Sequence, residues 1–230
     1  MKLLSTALVV LVLSGLALAR QEKGAVPAPV ADAAAEAKLI AQQLPTYPLT
    51  TCPVSNEPLE GKEKPFDLVH EGRLVRLCCK ACVKEFKNDP AVAASIFKSI
   101  DEGVIRAQKD TYPLATCAVS GEQLGSMGDP VELVVGTRLV RLCCKGCVKG
   151  VKKDPTKTLA TIDAALISEQ KKTYPLSTCL VSGEELGSEG FDYLHGVRLT
   201  RFCCEKCVSA FSKEPAKFLA ALDKATPKKN

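Results

Sequence analysis

The sequence is poor in the residues that usually carry chemistry. It has no tryptophan and only two histidines, and aromatic residues make up 5% of its 230 residues. It shows no paired catalytic carboxylates, no nucleophile beside a base and no phosphate-binding loop, which argues against an enzyme. The net charge of +5 comes from lysines that are not interleaved with aromatic residues, so nucleic-acid binding is not indicated.

Long apolar runs are also scarce. The run from Leu3 to Leu16 follows Lys2 and precedes Ala17-Leu18-Ala19, a pattern typical of a cleaved signal peptide over residues 1–19. No later segment approaches the roughly 20 apolar residues of a membrane span, so we expect no membrane insertion after cleavage. Residues 20–35 are rich in proline and alanine and are predicted to form a flexible linker. The sequence therefore predicts a periplasmic or secreted protein.

Cysteine is what the chain has in excess. Three sets share one shape, a single cysteine followed 24 or 26 residues later by Cys-Cys-x-x-Cys. The twelve are Cys52, Cys78, Cys79, Cys82, Cys117, Cys143, Cys144, Cys147, Cys179, Cys203, Cys204 and Cys207. A lone cysteine with a tight cluster is how a short chain builds a metal–thiolate site or a disulfide framework.

The repeat extends well beyond the cysteines. Each copy opens with Ile-x-x-Gln-x-x-Thr-Tyr-Pro-Leu, continues with Cys-x-Val-Ser-x-Glu-x-Leu and ends with Asp-Pro or Glu-Pro after the cysteine cluster. We therefore predict three tandem modules, at residues 36–104, 105–166 and 167–230. Each module has about 60 residues, a size at which a hydrophobic core alone gives marginal stability. We therefore expect the cysteines to stabilise the modules, whether they bind metal or form disulfides.

Local patterns predict an α+β module, a β-hairpin clasped by cysteines and followed by helices. The expected strands are Phe66–Val69 with Arg73–Leu77, Val131–Val134 with Arg138–Leu142, and Phe191–Leu194 with Arg198–Phe202. A short helix is expected from Cys79 to about Lys87, and a second from Pro90, a favoured first helical residue, to about Gln108. The segment from Ala31 to Gln43 repeats the end of that second helix and is expected to pack on module one.

Three interpretations of the cysteines remain open. Four thiolates around one point suit zinc, and two or three suit copper(I), one ion per module. Export equally permits disulfides, between the lone cysteine and one of the cluster and within the cluster itself. A redox role for Cys-x-x-Cys at a helix start is the weakest interpretation, because the βαβ context of a thioredoxin-like unit is missing. We favour metal.

Other recurring polar residues have less specific explanations. Arg76, Arg141 and Arg201 share a strand face with the first cysteine of each cluster, and either support a thiolate site or face solvent. His70 and His195 occupy equivalent hairpin-turn positions, but the middle module has Val135 there. A required ligand would not be valine in one copy, so these histidines are predicted to be surface residues. The repeated glutamates, Glu57, Glu122 and Glu184, are interpreted as turn stabilisers.

These residues carry a resemblance to a known family. Cys-x-Val-Ser-x-Glu-x-Leu, a hairpin ending in Arg-Leu-x-Arg-x-Cys-Cys-x-x-Cys, and a following Asp-Pro or Glu-Pro are similar to the YHS/TRASH-type metal-binding domains. The similar stretches are Cys52–Pro90, Cys117–Pro155 and Cys179–Pro215. The resemblance implies a treble-clef-like fold that binds heavy metals through one cysteine plus Cys-x-x-x-Cys, matched by Cys52, Cys78, Cys82 and their equivalents. Module two departs from the pattern at Gly150-Val151, where phenylalanine is expected.

The sequence thus predicts an exported protein with three thiolate sites for zinc or copper. The metal would serve structural stabilisation, buffering or delivery, and metal ions are the only partners it identifies. The alternative is a set of disulfide-stapled interaction modules without exchangeable metal.

Overall fold

The computed structural model describes residues 33–61, 64–187 and 190–226. The predicted signal peptide, residues 1–19, lies outside this part of the chain, as does the predicted linker up to residue 32. Residues 33–35 of that linker are helical, because α1 spans Ala33–Gln43. None of the helices in the described ranges is long and apolar enough to cross a membrane.

Three hairpin-plus-helix units follow α1. The first contains β1 (Phe66–His70), β2 (Arg73–Leu77), α2 (Lys80–Asn88) and α3 (Pro90–Gln108). The second contains β3 (Val131–Val135), β4 (Arg138–Leu142), a 3-10 turn (Lys145–Cys147), α4 (Val148–Lys153) and α5 (Pro155–Lys171). The third contains β5 (Phe191–His195), β6 (Arg198–Phe202), α6 (Glu205–Lys213) and α7 (Pro215–Ala225). The predicted α+β class is confirmed, and the first strand of each hairpin is one residue longer than expected.

Each hairpin is a two-stranded antiparallel sheet closed by a two-residue turn. In the first hairpin His70 pairs with Arg73, which leaves Glu71 and Gly72 as the turn. Both turn residues have positive φ, 49° and 76°, as the type I′ turns that match the twist of a hairpin require. His70 therefore ends the strand and is not part of the turn itself.

The second helix after each cysteine cluster (α3, α5 and α7) begins at a proline, as the sequence predicts. The side chain of Asp89 caps α3 by accepting hydrogen bonds from the N–H groups of Ala91 and Val92. Asp154 caps α5 in the same way through the N–H of Lys157, at 2.8 Å. Such caps stabilise a helix by about 1 kcal/mol, and they fix where the chain turns away from the cysteine cluster.

Neighbouring modules share their helices. The long helix of one module continues onto the hairpin of the next, so α3 packs against β3 and β4, and α5 packs against β5 and β6. The limits at 104/105 and 166/167 consequently fall inside continuous helices. Buried Leu139 of the second hairpin belongs to the core of the first module. The second hairpin therefore contributes to the apolar core of the first module as well as to its own.

A glutamine at the end of each connecting helix fastens that helix to a hairpin. Gln43 donates from Nε2 to the carbonyl of Gly72 at 2.7 Å and accepts from the N–H of Leu74 at 2.9 Å. Gln108 holds the second hairpin and Gln170 the third through the same pair of bonds. The repeated Gln-x-x-Thr-Tyr-Pro segment is therefore the docking segment for each hairpin.

The tyrosine of this segment completes the docking. The hydroxyl of Tyr47 accepts a hydrogen bond from the N–H of Arg76 at 3.3 Å, and Tyr112 and Tyr174 do the same for Arg141 and Arg201. Burial raises the pKa of Tyr47 to about 12, so this hydroxyl stays protonated at physiological pH.

The hairpin turns of the later modules also contact the start of the first. Thr137 donates from its hydroxyl to the carbonyl of Gln43 at 2.9 Å, and the hydroxyls of Thr46 and Thr137 lie 2.6 Å apart. Gly196 approaches Thr46 so closely that a Cβ there would lie 2.7 Å from its Cγ2 atom. The turns of all three hairpins thus contact the segment from Gln43 to Thr46.

Candidate metal centres

Each cysteine set is assembled from three local structures. Cys52 lies in a tight turn, where its N–H donates to the carbonyl of Glu57 at 2.7 Å and its carbonyl accepts from Asn56 at 2.8 Å. Asn56 has φ of 67°, and the equivalent Gly121 and Gly183 also have positive φ. A turn with one residue of positive φ therefore follows the first cysteine in all three modules.

The Cys-Cys-x-x-Cys segment follows the second strand directly. Cys78 comes immediately after β2, Cys79 is the N-cap residue of α2, and Cys82 lies in the first turn of that helix. The equivalent Cys204 is the N-cap of α6, whereas Cys144 precedes a 3-10 turn. The strand end and the helix start together bring two sulfurs, those of the first and last cysteines of the cluster, close to the lone cysteine of the turn.

Three groups of sulfurs result, one in each module. Within a group all the Sγ atoms lie within 4.8 Å of one another. The groups are Cys52 with Cys78 and Cys82, Cys117 with Cys143 and Cys147, and Cys179 with Cys203 and Cys207. These nine of the twelve cysteines could hold one metal ion per module.

The remaining cysteine of each set lies beside its group. Cys79 Sγ is 3.5 Å from Cys82 Sγ. Cys144 Sγ is 4.0 Å from both Cys143 and Cys147, and Cys204 Sγ is 3.8 Å from both Cys203 and Cys207. The structure thus brings the predicted ligands into one place, with three of each four forming the compact group.

The sulfur spacing fits thiolate coordination. A zinc–sulfur bond of about 2.3 Å makes the edge of a regular tetrahedron about 3.8 Å, and a trigonal site with the same bond length has an edge of about 4.0 Å. Cys78 and Cys82 are 3.8 Å apart, and the equivalent pairs in the other two modules are 3.7 Å apart. These distances suit both geometries, so they support a metal site without choosing between zinc and copper.

The same distances bear on the disulfide alternative. All twelve cysteines are free, and the sulfurs that contact one another within the Cys-Cys-x-x-Cys clusters lie 3.5–4.0 Å apart. A disulfide requires about 2.05 Å. No pair is therefore at bonding distance, and the disulfide interpretation gains no support from the structure.

The lone cysteine of each group ionises most easily. Burial opposes ionisation of Cys52, but N–H groups of Ser55 and Cys78 directed at its sulfur outweigh that effect and lower its pKa to about 6. Cys117 and Cys179 have a pKa of about 6 for the same reasons. A thiolate, the form that binds metal, is therefore available in each group at neutral pH.

The last cysteine of each group behaves in the opposite way. Burial, followed by the neighbouring thiols, raises the pKa of Cys82 to about 12, and Cys147 and Cys207 are raised equally. Each group thus combines one sulfur that ionises readily with another that tends to keep its proton. A cation that bridges them replaces that proton, which couples metal binding to proton release.

A serine supports the first cysteine of each cluster. The hydroxyl of Ser55 lies 3.1 Å from Cys78 Sγ, that of Ser120 lies 3.4 Å from Cys143 Sγ, and that of Ser182 lies 3.5 Å from Cys203 Sγ. These residues are the serine of the repeated Cys-x-Val-Ser motif, which the sequence showed only as a turn residue. Their position beside a ligand sulfur is one from which outer residues tune a metal site.

The repeated arginines do not face solvent. Arg76 donates from Nε to Asp67 at 2.8 Å across the hairpin, and Arg201 makes the same bond to Asp192. The guanidinium of Arg76 also lies 5.8 Å from the centre of the Tyr47 ring. In module two the Nε of Arg141 lies 3.7 Å from Glu132, too far for a hydrogen bond but close enough for an ion pair. The solvent-facing interpretation is therefore wrong, because all three side chains are mostly buried beside a carboxylate of the partner strand.

The three centres differ in detail. Phe86 and Phe211 are fully buried below the clusters of modules one and three, while module two has Val151 at that position. Gly150 follows from the same difference, since a Cβ there would lie 2.6 Å from Val119 in the cysteine turn. Module two therefore reaches the same sulfur arrangement with a smaller core and a shorter helix.

No family model, curated protein or solved structure in the comparisons matches this chain. The likeness to YHS/TRASH-type domains accordingly stays a prediction from the motifs. What the structure itself supports is three cysteine-rich modules, each able to hold a metal ion.

Proposed function

We propose that this protein is an exported metal-binding protein that holds zinc or copper(I), one ion per module, for buffering or delivery. The observation that carries the proposal is the threefold recurrence of a sulfur group with all its sulfurs within 4.8 Å of one another. Cysteine sulfur is the donor that selects zinc and copper(I) over hard cations. The export component rests on the signal-peptide pattern in the sequence.

Buffering or delivery is favoured over a purely structural role by the position of the sites. Each module has its own buried apolar cluster, and Ile96, Ile100 and Val104 of α3 are at most 1% exposed. The cysteines cluster at the strand end and helix start, where Cys79 and Cys203 are half-buried and Cys204 is exposed. Modules with apolar cores of their own are expected to survive metal loss, and ions held beside exposed cysteines are expected to exchange.

The proposal includes no catalytic step and no nucleic-acid partner. The partly buried charged groups pair with one another, as Arg138 does with Asp163 and Arg201 with Asp192. Metal ions are the cargo, and the acceptor is a soft-ligand molecule of the same compartment.

Chelation of the purified protein tests this proposal against the structural one. Near- and far-UV circular dichroism would be recorded while a chelator removes the metal and while metal is added back. We expect all of the metal to leave and return with most of the helical signal retained. Cooperative unfolding upon removal would instead show that the metal is a structural element, since its binding free energy would then be folding free energy.

A further inference from the structure

In modules two and three the sulfurs form two triangles that share an edge. The shared edge joins Cys143 and Cys147, whose sulfurs are 3.7 Å apart. Cys117 completes one triangle, and Cys144, 4.0 Å from both ends of the edge, completes the other. In module three Cys203 and Cys207 form the edge, with Cys179 and Cys204 at the two apices. We call the apex of the lone cysteine the inner sulfur and the apex of the N-cap cysteine the outer sulfur.

The two apices differ in their access to solvent. The inner residues Cys52, Cys117 and Cys179 are 0%, 2% and 2% exposed. Of the outer residues, Cys204 is exposed, and Cys79 and Cys144 are partly exposed. A molecule approaching from solvent therefore meets the outer sulfur before it can reach the inner one.

The outer cysteine also occupies an unusual position for its residue type. The N-cap of a helix is ordinarily serine, threonine, aspartate or asparagine. Cys79 and Cys204 take that position with extended backbone, φ of −153° and −159°. The position points the side chain toward the first turn of the helix, where the last cysteine of the cluster lies. The geometry thus places the outer sulfurs of Cys79, Cys144 and Cys204 next to the sulfur of the last cysteine in each cluster.

We infer that the second cysteine of each cluster, Cys79, Cys144 and Cys204, is a transfer ligand that moves the metal between the inner sulfurs and an external thiolate acceptor. The inference rests on the proposed metal-binding function. In the resting state the inner sulfur and the two edge sulfurs hold the ion. During transfer the outer sulfur forms a bond to the ion as the inner sulfur releases it.

The step is a ligand exchange without oxidation or reduction. The outer thiol loses its proton when its sulfur bonds to the metal, and the inner thiolate can take up a proton when its own bond breaks. The shared edge keeps two bonds intact during this exchange, so the ion is not released to water. The acceptor then replaces the edge sulfurs and finally the outer sulfur one at a time, and each protein sulfur takes up a proton as its bond to the ion breaks. This sequence requires that the acceptor carry thiolate groups itself.

Two matched triple variants of the full chain test the inference. One replaces the outer sulfurs (Cys79→Ser, Cys144→Ser, Cys204→Ser) and the other the inner sulfurs (Cys52→Ser, Cys117→Ser, Cys179→Ser). Each protein is loaded with zinc or copper(I) and mixed with a thiolate acceptor, dithiothreitol, and transfer is followed by separating the protein at timed intervals and measuring the metal that it still holds. Bound metal at equilibrium and the transfer rate are measured separately.

We expect the outer variant to keep wild-type stoichiometry and equilibrium affinity but to transfer metal about tenfold more slowly, equivalent to about 1.4 kcal/mol in the barrier. The inner variant should lose bound metal. An unchanged transfer rate in the outer variant would overturn the inference, as would a lowered stoichiometry or affinity, which would make the outer sulfur a resident ligand. A wild-type protein that binds no metal would overturn the proposed function and this inference with it.

Alkylation of the wild-type protein gives an answer that does not depend on how a variant folds. The metal-loaded chain is treated with iodoacetamide, and the modified cysteines are identified by peptide mass spectrometry. We expect modification of Cys79, Cys144 and Cys204 alone, with the other nine protected until the metal is removed. Protection of all twelve would show that the outer sulfurs are bound in the resting state and would contradict the inference.

Discussion

The imidazole of His195 meets the ring of Phe211 edge-on, with 5.2 Å between the ring centres. His70 and Phe86 make the same contact in module one, also at 5.2 Å. In module two the histidine is replaced by Val135, and the phenylalanine is replaced with it, by Val151. The histidine and the phenylalanine are therefore either both present or both absent in a module. This packing explains why one copy lacks the histidine, and it assigns the histidine no role as a ligand.

This contact predicts a pH dependence of stability that belongs to module three. Burial, and secondly the charge of Arg198, lower the pKa of His195 below its usual 6.5. The unfolded chain therefore binds a proton at a higher pH than the folded chain, so the free energy of unfolding falls as the pH is lowered from 7 through the folded pKa. Urea unfolding at pH 7.5 and 5.5 should show a smaller loss for His195→Val than for wild type. An equal loss in both proteins would contradict the assignment.

Gln108 is predicted to be the most sensitive contact between modules one and two. It is 7% exposed, and Gln108→Leu leaves the carbonyl of Thr137 and the N–H of Leu139 without their partner. Unpaired buried groups cost about 1–3 kcal/mol each, so urea unfolding should show a loss of at least about 2 kcal/mol. Gln170→Leu is the matched control at a less buried position, where a smaller loss is expected. A loss at Gln108 no greater than at Gln170 would contradict the importance of burial here.

Ser120 is predicted to tune metal affinity without being a ligand. Ser120→Ala removes the hydroxyl beside Cys143 Sγ but leaves all sulfurs in place. Loss of such an outer partner typically lowers affinity by about 10- to 100-fold, so competition with a chelator should show one weakened site of three at unchanged stoichiometry. Ser99→Ala, which removes a hydroxyl bonded to the carbonyl of Ser95 in α3, is the control and should leave all three affinities unchanged.

Cys117 is predicted to be a ligand of the second centre alone. Cys117→Ser removes the sulfur with the lowered pKa from that group, so elemental analysis should find about a third less bound metal. The other two centres should keep their affinity, because their sulfur groups share no residue with this one. Unchanged stoichiometry would remove Cys117 from the ligand set.

The fold was largely predictable because its signals are local and repeated. The strands, the helix starts at Pro90, Pro155 and Pro215 and the turn after the first cysteine each follow from a short motif that recurs three times. The limits of the modules were less predictable. The helix α3 carries apolar residues for its own module and Gln108 for the next, so no single boundary separates the two modules. The packing of the segment from Ala31 to Gln43 on module one was predicted and is confirmed, because α1 contacts β1 and β2.

The site was predictable to the level of the cysteine sets. Spacing shows which cysteines approach one another, but not that Cys79 lies beside the group formed by Cys52, Cys78 and Cys82. Which three sulfurs form the compact group and which one lies beside it depends on the path of the backbone from β2 into α2, and the spacing of the cysteines does not specify that path. The pairing of Arg76 with Asp67 was missed for a similar reason, although their cross-strand register, once the hairpin is placed, would have indicated it.

The most direct test of the account is metal content with free-thiol titration on protein isolated from its native compartment. Elemental mass spectrometry would give the metal, and titration after denaturation and chelation would give the number of free thiols. The account predicts about three equivalents of zinc or copper, one for each sulfur group, and all twelve thiols free. Absence of metal together with few or no free thiols would contradict it and would make this a disulfide-stapled repeat protein.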